Sequence, residues 1–458
     1  MNLRRSATHS RCHSIPRLRF EDQTLTSFAG LVIVQRLFDH VRLKERLRDC
    51  FSHLSTRSVY GLARVTLHLI VHLLLGYREL RDSRYYDQDP MVLRLLGLKR
   101  LPDVSTVSRT LAKAAPDCVE RLRRLLRNLV LDRLTAWQPP RLTLDFDGSV
   151  NSTRRHAEGT AVGFNKMRKG ARSYYPLFCT IAQTGQVFDF LHRPGNVHDS
   201  NGAVLFILDC IGQIQRLLPG TQIEVRLDAA FFSDAIVSAL DAAGVHFSIS
   251  VPFERFPQLK ALIQSRRRWR RTSSELSYFH APWKPKVWPT SYRFLCLRRR
   301  VKIARKEPLQ YDCFVPHETG FEFKVIVTNH TLKARHLVAF HEGRGSQEGL
   351  FAELKSQAHA GYIGMRRLIP NQIYLACAAL AHNLCRELQM IVREPRPRNG
   401  AKRPPMWVFE EQRTLCRTFI QRAGRLVRPQ GALTLIMNGN RHVESGIRSY
   451  LEGIDTAA

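Results

Sequence analysis

Acidic residues are scarce in this chain of 458 residues. Only 39 Asp and Glu stand against 71 Lys and Arg, which leaves a formal net charge of +32. A surplus of one sign this large is costly in self-repulsion unless a polyanion offsets it, so nucleic acid or an anionic membrane is the first partner to consider. Hydrophobic residues make up 44% of the chain, which excludes a disordered basic tail.

Long apolar runs and paired cysteines are also absent. The longest apolar run, residues 62–75, is interrupted by Arg64, His68 and His72, so it predicts a buried helix and not a bilayer span. The first 20 residues contain five arginines but no apolar stretch, which argues against a secretory signal. The ten cysteines include no C-x-x-C pair. We therefore expect a reduced, cytoplasmic compartment and no structural zinc.

Several catalytic motifs are missing as well. The chain contains no G-x-x-x-x-G-K-[ST] loop, no G-x-S-x-G elbow and no H-E-x-x-H helix. These motifs carry the phosphate cradle, the nucleophile and the zinc ligands of three large enzyme classes. NTPase, serine-hydrolase and zinc-protease functions therefore have no support in this sequence.

Residues 1–135 predict a basic arm followed by a helical region. Ser105 is placed to cap a helix that ends near Ala115, and Pro116 restarts a helix towards Leu134. Two interpretations fit the cations of this pair: a helical DNA-binding unit, or the solvated face of an ordinary helix bundle. These cations are Arg109, Lys113, Arg121, Arg123, Arg124 and Arg127.

Residues 136–251 change to a strand pattern. Apolar and polar residues alternate in 141–147 and again in 222–228, and Thr184-Gly185 marks a hairpin between two further strands. The predicted order is strand, strand, strand, helix, strand, helix, strand. Such a meander followed by crossover units predicts an α/β fold with an RNase H-like mixed sheet and helices on both faces.

Residues 252–332 predict a basic, mainly β insertion into that plan. Fourteen Lys or Arg but one acid, Glu275, lie between residues 266 and 306, interleaved with aromatic residues. Residues 333–392 return to helix and complete the catalytic domain. Residues 393–458 predict a proline-rich linker and a short C-terminal section.

Two aspartates stand at the ends of predicted strands. Asp147 is followed by Gly148, which lets the backbone turn, and Asp228 ends the fourth strand. In a sheet ordered 3-2-1-4-5, strands one and four are neighbours, so both carboxylates come within reach of one ion. Asp145 shares the strand face of Asp147 and is the alternative first ligand. Either aspartate alone is also a common turn former.

One helical face carries the third acidic candidate. His341, Arg344, Glu348 and Lys355 are spaced at i, i+3, i+7 and i+14, which places them on one face. A solvated salt-bridge ladder is the competing explanation of this stripe. Glu342 and Glu353 are rivals of the right type, but neither has the Arg and Lys at these distances.

These residues resemble the DDE transposases of bacterial insertion sequences, in the group with a β-strand insertion. Their helix signature is Tyr, two residues, Arg, three residues, Glu, six residues, Lys, and this chain matches three of its four positions with Arg344, Glu348 and Lys355. The segments 144–149, 195–200 and 226–231 and the helix over 371–384 are similar to family features too. The resemblance runs from about residue 101 to residue 392.

The resemblance implies a two-metal nuclease. It implies that Asp147, Asp228 and Glu348 are catalytic metal ligands for two Mg²⁺ ions, with Mn²⁺ as a substitute, because magnesium prefers oxygen ligands. Insertion tryptophans would stack on a flipped base, although packing inside the insertion is the competing role. The implied DNA-binding set is Arg344, Lys355, His341, Arg226, Arg266, Arg267, Arg268, Trp269, Trp283, Trp288, Arg298, Arg299 and Arg300.

The expected function is therefore a DNA transposase that cleaves and joins the ends of its own insertion sequence. Its expected partners are double-stranded DNA, the terminal inverted repeats, target DNA and a second copy in a homodimeric synaptic complex, in a bacterial nucleoid and without a membrane. The alternative is a catalytically silent DNA-binding descendant, which His341 favours because it replaces a phenol with an imidazole. A sequence-indifferent RNase H-like nuclease is a third possibility.

Overall fold

The computed structural model describes residue 18 and residues 24–54, 58–163, 165, 168–300, 320–397 and 404–457. The predicted basic arm at the start of the chain lies outside these residues, apart from residue 18. The insertion cations Lys302, Arg305 and Lys306 and the predicted linker residues 398–403 lie outside them too.

The first third of the chain is helical. Asp89 caps one helix, since its Oδ1 accepts from the backbone N–H groups of Met91 at 3.0 Å and Val92 at 3.2 Å. The cap predicted at Ser105 is wrong, because Asp103 occupies the N-cap position and the helix begins at Val104. The elements are β1 (Leu25–Thr26), α1 (Leu31–His40), α2 (Leu43–Cys50), α3 (Leu62–Leu74), a 3₁₀ turn (Leu80–Tyr85), α4 (Pro90–Leu96), α5 (Val104–Ala112) and α6 (Pro116–Trp137).

The strands that follow form a mixed sheet in the predicted order. Strand β2 pairs in parallel with β8 and antiparallel with β6, and β8 pairs in parallel with β9, so the five strands read β7-β6-β2-β8-β9. The elements are β2 (Arg141–Gly148), β3 (Asn151–Thr153), β4 (Ala161–Val162), β5 (Arg172–Tyr174), β6 (Leu177–Ile181), β7 (Gln186–Leu191), α7 (Ala203–Leu217), β8 (Gln222–Leu227), α8 (Asp234–Ala242) and β9 (His246–Val251).

The described part of the insertion extends this same sheet. Strand β13 pairs antiparallel with β9, and β12, β11 and β10 follow outward, which makes a sheet of nine strands. The insertion therefore continues the catalytic sheet at its β9 edge. Its elements are α9 (Pro257–Ser265), β10 (Arg270–Arg271), β11 (Leu276–Ala281), β12 (Arg293–Arg300) and β13 (Phe321–Thr328).

The last part of the chain returns to helix. From about residue 345 to Val392 we expect helix with a break at Pro370. The structure has such a break, but it lies earlier, between Ser356 and Leu368, so that Pro370 is in the first turn of the second helix, where proline is tolerated. The elements are α10 (Ala334–Glu342), a 3₁₀ turn (Gly343–Gly345), α11 (Ser346–Ser356), α12 (Leu368–Val392), α13 (Gln412–Leu415), a π-helical turn (Cys416–Ile420), β14 (Gly424–Val427), β15 (Thr434–Met437) and α14 (Arg441–Ala457).

Apolar residues cover both faces of the sheet. On β6 and β7, Phe178 and Phe190 pack into the core that α12 shares with helices α1 to α6. Cys179 and Phe188 pack into a second core with α7, α8 and α9. This alternation along neighbouring residues is the period of a strand buried on both faces. The fold is thus the expected α/β mixed sheet with helices on both faces.

Candidate active site

The carboxylates of Asp147 and Asp228 converge at the end of two neighbouring parallel strands. Asp147 is the second-last residue of β2, and Asp228 directly follows β8. One guanidinium nitrogen, Nη2 of Arg344, lies 2.8 Å from Oδ2 of Asp147 and 3.5 Å from Oδ2 of Asp228. The structure therefore brings together the two aspartates that the sequence placed at strand ends.

The helical run from α10 to α11 supplies the rest of the predicted set. Arg344 lies in the 3₁₀ turn that joins the two helices, and Glu348 lies in the first turn of α11 and is exposed. Lys355 lies in the last turn of α11, and its Nζ donates to the carbonyl of Val150 at 2.9 Å. Arg344 contacts Asp147 in β2 and Lys355 contacts Val150 just after β2, and Glu348 lies between these two residues on the same helical face.

Burial makes this site electrostatically unusual. Removal from water raises the pKa of Asp147 to about 7, the Arg344 guanidinium opposes that rise, and the carboxylates of Asp228 and Asp199 add to it. Burial lowers the pKa of the Lys355 ammonium, an effect that Asp147 opposes. Burial, with smaller contributions from the neighbouring carboxylates, therefore disfavours the negative charge of Asp147 despite Arg344, which is a setting that a divalent cation fits.

Asp199 is a fourth carboxylate that sequence reasoning missed. It accepts from the Tyr175 hydroxyl at 3.0 Å and faces Nη2 of Arg193 at 3.4 Å. Burial raises the pKa of Asp199, the Tyr175 hydrogen bond opposes the rise, and Asp228 adds to it. A Cβ on Gly148 would overlap Cζ of Tyr175 and lie 2.6 Å from Oδ1 of Asp199, so any other residue there would have to displace these side chains. The signal was present in the segment 195–200, to which no chemical role was given.

Asp145, the alternative first ligand, is occupied elsewhere. Nε and Nη2 of Arg226 donate to its two carboxylate oxygens, each at 2.6 Å, and both side chains are buried. Nη1 of Arg226 donates to the carbonyl of Phe340 at 2.9 Å. The prediction that Arg226 binds DNA is therefore wrong, because its fork is used up inside the protein. The same contacts leave Asp147 as the first candidate ligand.

The rivals of Glu348 are also engaged in ion pairs. Glu342 pairs with Arg299 of the insertion. Glu353 is buried, pairs with Arg386 and accepts from the backbone N–H of Gln412 at 2.9 Å. Of Glu342, Glu348 and Glu353, Glu348 is the one that shares a helical face with Arg344 and Lys355.

His341 faces the interior and not the open side of the site. Its Nδ1 lies 3.0 Å from Oγ of Ser248 and its Nε2 lies 2.9 Å from Oγ of Ser250, and the ring is buried. Burial holds the pKa of this imidazole well below its ordinary value, and the nearby cation of Lys324 adds to that effect. The prediction that His341 binds DNA is therefore wrong, since both ring nitrogens bond to β9.

The insertion divides its aromatic and basic residues between packing and surface. Trp288 is buried against Phe232 and Phe294, so the prediction that it stacks on a base is wrong in this structure. Trp269 and Trp283 are half-buried, and their stacking stays a prediction. The cations Arg266, Arg267, Arg268, Arg299 and Arg300 are exposed, and Arg298 lies over the Trp269 ring at 4.9 Å.

Two cations of α6 have a structural role. Arg123 and Arg127 both donate to the buried carboxylate of Asp189 at 2.7 Å and pair with Glu120. Because Asp189 is fully buried on β7, these pairs connect the helical region to the sheet. Neither of the two interpretations, a DNA-binding face or a solvated face, therefore holds for Arg123 and Arg127.

Among the helices that the structure describes, none has the length and apolar character of a membrane span.

Comparison with known proteins adds one strong match. The family described as Transposase DDE domain group 1 matches residues 12–403, which is most of the chain. No curated protein matches the sequence. Two solved structures are similar at 11% identity: a piggyBac transposase synaptic complex with hairpin DNA (78% of this chain, 74% of that chain, TM-score 0.36) and the Mos1 mariner paired end complex with Mn (47% and 75%, TM-score 0.17).

Proposed function

The chain belongs to the DDE transposases, and from this premise we propose that it cleaves the ends of its own mobile element and joins them to target DNA. It is a DNA-binding enzyme of the nuclease and transposase kind, and its family uses divalent metal ions. The observation that carries the proposal is the convergence of Asp147 and Asp228 on Arg344, beside the helical face that bears Glu348.

We assign the metal ligands to three carboxylates. Asp147, Asp228 and Glu348 offer the oxygen donors that Mg²⁺ prefers, and Mn²⁺ accepts the same donors. Two such ions, when bound, activate the attacking oxygen and stabilise the leaving oxygen in phosphodiester displacement. The burial of Asp147 beside the carboxylates of Asp228 and Asp199, which makes its negative charge costly, is the property of this chain that suits them.

Two cations of the helical run complete the proposed site. The planar fork of Arg344 hydrogen-bonds a phosphate while its charge offsets that of Asp147 and Asp228. Lys355 acts as a point charge near the end of β2, where its Nζ already meets a backbone oxygen. Both residues hold the DNA backbone next to the carboxylates, and neither transfers a proton in this proposal.

The exposed cations of the insertion form a second proposed contact with DNA. Arg266, Arg267 and Arg268 stand before β10 with no acidic residue between residue 255 and residue 274. The substrate is double-stranded DNA that ends in terminal inverted repeats, and two copies of the chain hold two ends in a homodimeric complex. A bacterial, nucleoid-associated setting follows from the resemblance to insertion-sequence enzymes.

The catalytically silent alternative loses its main support. It rested on His341, which would have weakened a phosphate contact. Because both ring nitrogens of His341 bond to serines of β9, this position has no phosphate contact to lose. We therefore retain the active enzyme as the proposed function.

A strand-cleavage assay on the terminal repeats tests the proposal. Wild-type protein with Mg²⁺ should cut at the repeat ends, whereas Glu348→Gln should lose cleavage by more than about 100-fold, since loss of even an outer contact to a metal ligand costs about 10–100-fold. Glu342→Gln is the matched control, because Glu342 is exposed and lies six residues away in a surface pair with Arg299. Equal cleavage by Glu348→Gln and wild type would make this site assignment wrong, and cutting without regard to the repeat sequence would favour a general nuclease.

A further inference from the structure

A deep cleft runs along the joint between the helical region and the catalytic sheet. Its volume is about 1330 Å³. One wall is formed by the 3₁₀ turn Leu80–Tyr85 and by α5, and the other by strand β3 and the loop 361–367. Because the walls of this cleft come from four separate parts of the chain, no local sequence pattern marks it.

Unpaired arginines line this cleft. Arg154, Arg155, Arg168, Arg366 and Arg367 are all exposed, and within the part of the chain that the structure describes none of them forms an ion pair. Five like charges around one cavity repel one another unless a polyanion separates them. An anionic polymer bound in this cavity would therefore relieve the repulsion among the five arginines.

The acidic residue of the cleft does not cancel this charge. Glu79 is matched by two arginines, with Nη2 of Arg78 at 3.0 Å and Nε of Arg81 at 2.6 Å. Arg78 also lies 5.3 Å above the ring of Tyr362, so an aromatic surface is held beside the cations. The cleft thus keeps a net positive charge after its internal pairs are counted.

The cleft opens beside the carboxylate site, on the side away from the insertion. Lys355 lines it, and Nζ of Lys355 bonds to Val150, three residues after Asp147. At the other end of the same helical run, Glu342 pairs with Arg299 of the insertion. Thirteen residues at 1.5 Å each separate these two points by about 20 Å, with Glu348 between them.

We propose that this cleft binds the sugar-phosphate backbone of the duplex DNA that leads to the carboxylate site. The inference rests on the proposed function, because it names the path by which the substrate reaches the same site. Exposed arginines suit this task because their planar forks pair with phosphates in any sequence. The cleft therefore contributes affinity and position, and it carries no sequence preference of its own.

Salt-dependent binding tests the cleft without relying on cleavage. The probe is a fluorescent DNA duplex of about 30 base pairs that carries one end of the element. Its binding to the protein is measured by fluorescence anisotropy, with a chelator present, at salt concentrations from low to moderate. Two cleft variants, Arg154→Gln with Arg155→Gln and Arg168→Gln with Arg366→Gln, are compared with Arg425→Gln plus Arg428→Gln, two exposed cations of the C-terminal hairpin outside the cleft. The insertion pair Arg267→Gln with Arg268→Gln, in the same series, tests the insertion contact separately.

Each cleft variant should flatten the plot of log affinity against log salt by about 1.8, since each lost phosphate contact is worth about 0.9 for duplex DNA. The hairpin control should keep the parent slope. If both cleft variants unfold at the parent temperature and keep the parent slope, the cleft is not a DNA surface. Glu348→Gln should bind with the parent slope, so a failure of the cleavage proposal and a failure of the cleft are separate results.

Discussion

Two aspartates on one strand, Asp145 and Asp147, show how neighbouring positions with the same chemistry acquire different roles. Both face the same side of β2, and each meets an arginine. Asp145 is held by both arms of Arg226 in a pair that is almost fully buried. Asp147 meets one nitrogen of Arg344, and about a fifth of each side chain remains exposed. The Asp145–Arg226 pair is therefore closed to solvent, and the Asp147–Arg344 pair is partly open to it.

The lengths of the neighbouring strands explain this difference. In the parallel register of β2 and β8, Asp145 stands directly beside Arg226. Asp147 lies two residues further on, where β8 has already ended and Asp228 turns to cap the 3₁₀ turn Ala229–Phe231. On the β8 side no strand residue pairs with Asp147, although Phe178 of β6 pairs with it on the other side, so the space towards β8 is left for a helix side chain and for substrate. A site forms where one strand outlasts its neighbour.

The largest expected effect is a loss of cleavage on substitution of Asp147, in the open pair. Asp147→Asn should lower repeat-end cleavage by more than about 100-fold, as a lost metal ligand should. Stability should not fall. The folded pKa of Asp147 is raised to about 7, so ionising this carboxylate costs stability that grows from its unfolded pKa of about 4 up to about pH 7 and is fully present at pH 8, and the neutral amide removes this cost. Cleavage kinetics and urea unfolding at pH 8 measure the two effects. A variant that is fully active would remove Asp147 from the site.

A smaller effect on cleavage but a larger one on stability is expected at the closed pair. Asp145→Leu leaves the charge of Arg226 buried and unpaired, and should lower the free energy of unfolding by about 3–5 kcal/mol. Adding Arg226→Met should restore most of that loss, because a buried ion pair can be replaced by apolar side chains. Urea unfolding of the two single variants and the double variant measures the coupling. Independent, additive effects would show that the pair is not closed.

The smallest expected effect concerns His341. His341→Phe leaves the hydroxyls of Ser248 and Ser250 without their partner, and should cost about 1–3 kcal/mol of stability with little change in cleavage. The folded pKa of His341 lies well below its ordinary value, so below about pH 6.5 the unfolded chain takes up a proton that the folded protein refuses. As the pH is lowered below about 6.5, the free energy of unfolding of the wild type should therefore fall more steeply than that of the variant. Loss of cleavage in a stable His341→Phe protein would contradict a purely structural role.

Much of the fold followed from local pattern. Alternation along 141–147 and 222–228 predicted the two central strands, and the order of elements predicted that they are neighbours. The stripe from Arg344 to Lys355 predicted one helical face, and the structure turns that face towards β2. Periods of two and 3.6 residues are properties of the chain itself, which is why they could be read without a structure.

Other features depended on what lies across from each residue. The spacing that aligned His341 with Arg344 could not show that a histidine at the end of α10 meets two serines of β9. Composition grouped all insertion cations and tryptophans together, yet Trp288 packs inside while Arg267 stays exposed. Asp199 was missed because a loop residue has no periodicity to reveal which strand end it will reach.

The sequence by itself determined the class of sheet, the strand ends that carry Asp147 and Asp228, and the excess of positive charge. Tertiary structure alone decided that Arg226 neutralises Asp145, that the insertion extends the catalytic sheet, and that arginines from distant segments line one cleft. The physical reason is the distance along the chain between the residues that decide each property. Hydrophobic period is set by neighbouring residues and net charge by a sum over the chain, whereas the partner of a buried charge is decided by contacts between distant residues, such as Asp145 and Arg226, which lie 81 positions apart.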